Sequence, residues 1–240
     1  MNRRTLICAL GSLVAVLPAS AYAQSLQSRV ASQWPWKDIP SIVVVSSEDD
    51  SRLPAVREAV DFWNAELSKL GSPFRLGAIR HVVEMIPASD LYALRPDLNP
   101  LWAKESRRSG SPADSIRRVN GDIIVALSDA SLNSFAFRWP SHQKVLVAIQ
   151  SSRTYPLTLP NGAANVIAHE LGHAIGLGHN TDEGTLMCGT VWCRLVFPDE
   201  GFFPLTKQEG TRLLEMYPPN WQPKPSRTWK GDPPSAPTSG

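Results

Sequence analysis

The residues of this chain best suited to chemistry lie in one eleven-residue stretch, His169-Glu170-Leu171-Gly172-His173-Ala174-Ile175-Gly176-Leu177-Gly178-His179. His169 and His173 are one helical turn apart, so on a helix both imidazoles leave the same face. Two neutral imidazoles placed that way can grip a zinc ion. Glu170 is offset by one position and can reach a water on the metal, not the metal itself. Gly176 falls where the helix must stop and the chain turn back, a place that asks for positive φ. The turn then delivers His179 as a third ligand. Three protein ligands leave one zinc position open, the mark of a catalytic site and not a structural one. Three of the five histidines fall within this stretch. An isolated H-E-x-x-H pair arises easily by chance; the added glycine and third histidine make one zinc ion the economical reading.

The pattern resembles that of the metzincin zinc endopeptidases. Those proteins also carry a tight turn with a methionine beneath the metal, and Gly184-Thr185-Leu186-Met187-Cys188-Gly189 supplies one here. The spacing from His179 to Met187 and the Leu-Met pair are similar to the matrixin branch. The Pro-Tyr familiar after that methionine is replaced by Cys188-Gly189. The resemblance implies that Met187 is an apolar floor under the zinc. It implies peptide-bond hydrolysis of a protein or peptide substrate, with Glu170 as general base and then general acid. It also implies an α/β fold: a single catalytic domain whose twisted, mostly parallel sheet has about five strands, an antiparallel edge strand and three main helices. In some metzincins a tyrosine two places after the methionine also binds the metal; that place is Gly189 here. Calcium-binding loops are not evident.

Composition narrows the class further. The 240 residues, 42% hydrophobic with a net charge of +2, suit one substantial domain. The small charge gives no electrostatic footprint for nucleic acid. Arg3-Arg4, the apolar run Leu6 to Leu17 and Ala21-Tyr22-Ala23 read as a signal peptide over 1–23, too short for a membrane span. The expectation is an exported monomer, periplasmic or extracellular. Removal of the signal leaves Cys188 and Cys193. In an oxidising compartment they are expected to form a disulfide; two reduced thiols, or one sulfur as a fourth zinc ligand, are the alternatives.

The elements that must position the site follow in order. Residues 24–40 form a lead with Trp34-Pro35-Trp36, 41–217 the catalytic domain, and 218–240 a Pro-rich disordered or extended tail in which Trp221 and Trp229 are isolated. Strands are expected at 42–45, 74–86, 121–127, 134–139 and 144–150, and helices at 54–70, 161–176 and 206–217, with a short helix around 99–107. Asn161 is the expected N-cap of the zinc helix. Thr206 with Glu209 three residues on reads as a capping box. The resemblance makes 134–139 the antiparallel edge bordering the cleft, so Phe135, Ala136 and Phe137 are assigned to a substrate-facing rim. It makes the segment after Met187 a wall of the pocket for the side chain following the cut bond, with Val191 and Trp192 contributing. His81 and His142 stand alone and are read as ordinary surface or core histidines. A zinc-stabilised binding module of the same fold is the competing reading, against which Glu170 argues.

Overall fold

The computed structural model describes residues 35–95, 113–139, 144–189, 197–198 and 200–224. Its elements run β1 (Ile42–Ser46), α1 (Leu53–Lys69), β2 (Ile79–Val83), α2 (Ala88–Leu94), α3 (Asp114–Arg117), β3 (Ile123–Leu127), β4 (Phe135–Trp139), β5 (Lys144–Ile149), α4 (Gly162–Ala174) and α5 (Lys207–Met216). The five strands form one sheet in the order β2-β1-β3-β5-β4. All neighbouring pairs are parallel except β4 with β5, which is antiparallel.

β1 and β3 are continuous apolar runs, and both are buried throughout. That is the signature of strands covered on both faces. Alternation divides the strand residues between two cores. Ile42, Val44, Val125 and Val147 join α1 and α4 in the larger core, whereas Val43, Val45, Ile124 and Leu146 join Leu91 and Ile116 in the smaller. α1 buries Val56, Val60, Trp63 and Leu67 on one stripe. Its Trp63 indole donates to the carbonyl of Ala168 at 2.8 Å, which fixes α1 against α4.

Two expected elements differ. The strand expected over 74–86 is confined to Ile79–Val83. Upstream of it the Asn64 side chain captures both backbone groups of Leu76, and the N–H of Gly77 goes to Pro40. Those bonds take the place of a strand ladder. The tail is not extended away from the domain at its start. Trp221 packs edge-on against Phe74 and Tyr217, its indole donates to the carbonyl of Trp36, and the N–H of Lys224 bonds to Lys37. Trp34, the helix expected around 99–107, His142 and residues 225–240 lie outside the described residues, as does the signal segment. No helix among the described residues is long and apolar enough to cross a membrane.

The loop after β1 is fastened by a buried ion pair. Arg52 donates to Asp50 and to the carbonyls of Ser128 and Gln150, at the ends of β3 and β5. Burial pushes the Asp50 carboxyl upward, but the hydrogen bonds and charge of Arg52, with a smaller contribution from His81, hold it below the usual aspartate range. A carboxyl whose pKa falls on folding adds stability above its unfolded value of about 3.9, and that stability is lost as pH drops through the lower folded value. Asp50→Ala is expected to cost about 3 kcal/mol at pH 7, since the buried guanidinium then keeps only carbonyl acceptors and the more distant, exposed Asp129 carboxylate. The variant should lose less stability than the wild type on moving to pH 3. Urea unfolding at the two pH values reads both effects; equal acid losses in the two proteins would remove Asp50 from the account.

Candidate metal centre

The histidine stretch is split between α4 and the turn that follows it. α4 begins without the expected side-chain cap: Asn161 lies in the left-handed region at φ 55°, and its amide donates instead to the carbonyl of Pro198 at 3.0 Å. Asparagine tolerates that conformation because its short polar side chain bonds locally. The far end matches expectation. Gly176 has φ 109°, its N–H reaches the carbonyl of His173, and the N–H of Leu177 reaches that of Gly172. This is a Schellman closure, and it reverses the chain so that His179 returns to the face that carries His169 and His173.

The last carbonyls of α4 are met by donors from three distant segments. The Trp36 indole and the Arg138 guanidinium both donate to Ala174, at 2.8 and 2.7 Å, and the Tyr217 hydroxyl donates to Ile175 at 2.8 Å. Arg138 also lies over the Trp36 ring, 4.8 Å from its centroid. A cation at a helix C-terminus suits the helix dipole. Burial pushes the Arg138 pKa down and that of Tyr217 up. Sequence reasoning missed this cluster; the signal available was that buried Trp and Tyr polar atoms need partners.

The three imidazoles converge. Their Nε2 atoms form a triangle with sides of 3.1, 3.1 and 3.0 Å. His169 Nδ1 lies 2.7 Å from the carbonyl of Leu186, and His173 Nδ1 lies 2.8 Å from that of Leu177. A carbonyl only accepts, so both Nδ1 atoms carry the proton and both Nε2 atoms present lone pairs. Lone pairs packed this closely repel unless a cation sits among them. The corners of such a triangle lie about 1.8 Å from its centre, within the ~2.0–2.1 Å of a zinc–imidazole bond, so one ion reaches all three. Among the described residues, His169, His173 and His179 are the group whose donor atoms could hold a metal. Their chemistry, three imidazole nitrogens with two of the rings held by backbone carbonyls, fits zinc.

Met187 is fully buried against α4. It fits because residue 172 has no side chain: a Cβ there would lie 2.5 Å from the Met187 sulfur and 2.9 Å from the Trp63 ring. The turn bearing Met187 is tied down by Asn180, which follows the third histidine. Its N–H bonds to the Met187 carbonyl, its carbonyl accepts from Gly189, and its amide donates to Glu209 at 2.6 Å. Glu209 also completes the expected capping box with Thr206. One carboxylate thus links the start of α5 to the residue beside a candidate ligand.

Glu170 is buried, and with His169 it lines a cleft closed by Val166, Leu186, Phe197 and Phe203. Asn165 supports the wall, accepting from the Phe203 N–H and donating to Gly201. Cys188 is also buried and lines the cleft. Val191, Trp192 and Cys193 lie outside the described residues. The rim assignment needs correction in part. β4 is the sheet edge, but Phe135 and Phe137 belong to the core on the face away from α4, and Phe135 is only 2% exposed. Ala136 packs on the zinc-helix side. The alternation of a strand forces this split: Phe135 is withdrawn from a rim, Phe137 stays half-buried, and Ala136 lies on the α4 side. His81 bonds to the Ser46 hydroxyl at 2.9 Å, as an ordinary satisfied histidine would.

A mostly parallel sheet with one antiparallel edge, a helix bearing two histidines and a glycine turn returning a third are the features that the metzincin resemblance implies. Over residues 120–209, from just before β3 into α5, the chain matches the matrixin peptidase family model, so this segment is similar to the matrixins. Among solved structures it is similar to metalloproteinase-II from Bacteroides fragilis, with 16% identity and a TM-score of 0.41. The alignment covers 80% of this chain and 61% of that one, so the chain spans about three fifths of that protein's length. No curated protein matches.

Proposed function

We propose that the protein is a zinc-dependent endopeptidase in which His169, His173 and His179 hold one catalytic ion and Glu170 carries the proton transfers. The observation behind this reading is the Nε2 triangle of 3.0–3.1 Å, with a buried carboxylate lining the cleft beside it. Zinc held there would acidify a water and draw electron density from a peptide carbonyl. The Glu170 carboxylate takes the proton from the attacking water and gives it to the departing amine. The β4 edge offers backbone groups for an extended peptide to pair with. The Val166, Leu186, Phe197 and Phe203 wall favours an apolar residue after the cut bond, with Val191 and Trp192 as further wall residues. Met187 serves as the floor.

Export follows from the signal segment 1–23, with the mature protein working as a monomer in the periplasm or the medium. A Cys188–Cys193 disulfide would stiffen the wall and keep sulfur off the metal. It is supported by Cys188 being buried in the cleft wall. The test is cleavage of casein by protein recovered from periplasm or medium, with its N-terminus sequenced. Cleavage stopped by a chelator and restored by zinc is expected, with a start at Gln24. Stoichiometric zinc without cleavage of any peptide pool would favour the binding module; a start elsewhere would displace the signal boundary.

A further inference from the structure

Gly189 lies flat against the third histidine. A Cβ at residue 189 would fall 2.4 Å from His179 Cγ, 2.6 Å from its Cβ and 2.7 Å from its Nδ1. Real Cβ atoms do not approach other heavy atoms so closely, so either the ring or the backbone at 189 would have to move. The backbone has little freedom. The N–H of Gly189 bonds to the carbonyl of Asn180 at 3.0 Å, and the N–H of Asn180 bonds to the carbonyl of Met187 at 2.9 Å. Asn180 is itself fixed by Glu209 and Thr185. The turn residue Met187 is also held, since Gly172 on α4 leaves no gap above it. A side chain at 189 therefore presses on the one ligand that does not sit on α4.

We infer that Gly189 is a positioning residue for the metal: its bare backbone sets the orientation of the His179 ring, so that Nε2 completes the triangle with His169 and His173. This rests on the zinc reading above and deepens it. His169 and His173 are oriented by carbonyls accepting from their Nδ1 atoms. For His179 the orienting surface includes the face of a residue without a side chain. Every amino acid other than glycine fills that surface.

The test is zinc affinity, measured by competition with a chromogenic chelator, together with the visible spectrum of the cobalt-substituted protein. Wild type should bind one zinc; if it does not, the zinc reading itself fails, whatever happens at 189. Given a zinc-binding wild type, Gly189→Ala should weaken zinc by about tenfold to a hundredfold, the range over which groups orienting a metal-bound histidine act. Its cobalt spectrum should shift as one nitrogen leaves its place. Unchanged affinity with an unchanged spectrum would overturn the inference. Should Gly189→Ala fail to fold, the same substitution is made in metal-free His179→Gly protein, where neither the ring nor the Cβ of residue 179 remains to be struck. There the alanine should leave the thermal midpoint where His179→Gly alone puts it. A loss of stability in that background would place the clash elsewhere and overturn the inference.

Discussion

Glu170→Gln is expected to bind zinc as the wild type does and to lose turnover by about a hundredfold or more, the weight a positioned acid–base group carries. The substitution keeps size and most hydrogen bonding but removes the ability to accept a proton. Glu170 is 4% exposed and lines the same cleft as His169. It is not one of the three groups whose donor atoms converge. Metal content and activity should therefore separate. The measurement is zinc per chain beside kcat on a quenched peptide. A glutamine variant that cleaves at near-normal rate would remove the carboxylate from the chemistry and leave the binding module standing.

His173→Ala is expected to do the reverse and empty the site. Its Nε2 lies 3.1 Å from that of His169 and 3.0 Å from that of His179. Removing it leaves two nitrogens, too few to hold zinc against water and chelators. Activity should fall to background, and the variant should retain no zinc after dialysis against a mild chelator. The fold should survive, because α4 is seated mainly by Ile167, Ala168, Leu171 and Ile175 in the larger core. Circular dichroism checks that point. One zinc per chain in the variant would overturn the ligand set.

Legibility from sequence followed the range of the interaction. The H-E-x-x-H pair, the Gly176 turn and the Thr206–Glu209 box depend on neighbours within one or two turns, and all three read correctly. The sheet was legible because β1, β3 and β5 are uninterrupted apolar runs. Asn161 was rightly placed at the N-cap, but the sequence did not show that it would adopt positive φ and donate its amide to a distant carbonyl instead of capping with its side chain. Phe135 and Phe137 misled because alternation states that two residues share a face but not which face. The end of β2 was misplaced because Asn64, twelve residues away, intercepts the backbone of Leu76. Trp36, Arg138 and Tyr217 meet across more than a hundred residues of chain, and no local pattern announces such a meeting.

That last cluster has a practical consequence for anyone trimming the gene. A chain cut back to 41–217 would keep every strand and long helix yet discard the indoles of Trp36 and Trp221. The terminal carbonyl of the helix bearing two metal-facing imidazoles would lose a donor, and Arg138 would lose the ring beneath it. The two flanking segments behave like the halves of a buckle fastened behind the histidine helix, so a trimmed chain that keeps Trp36 and Trp221 is expected to be more stable than 41–217 alone.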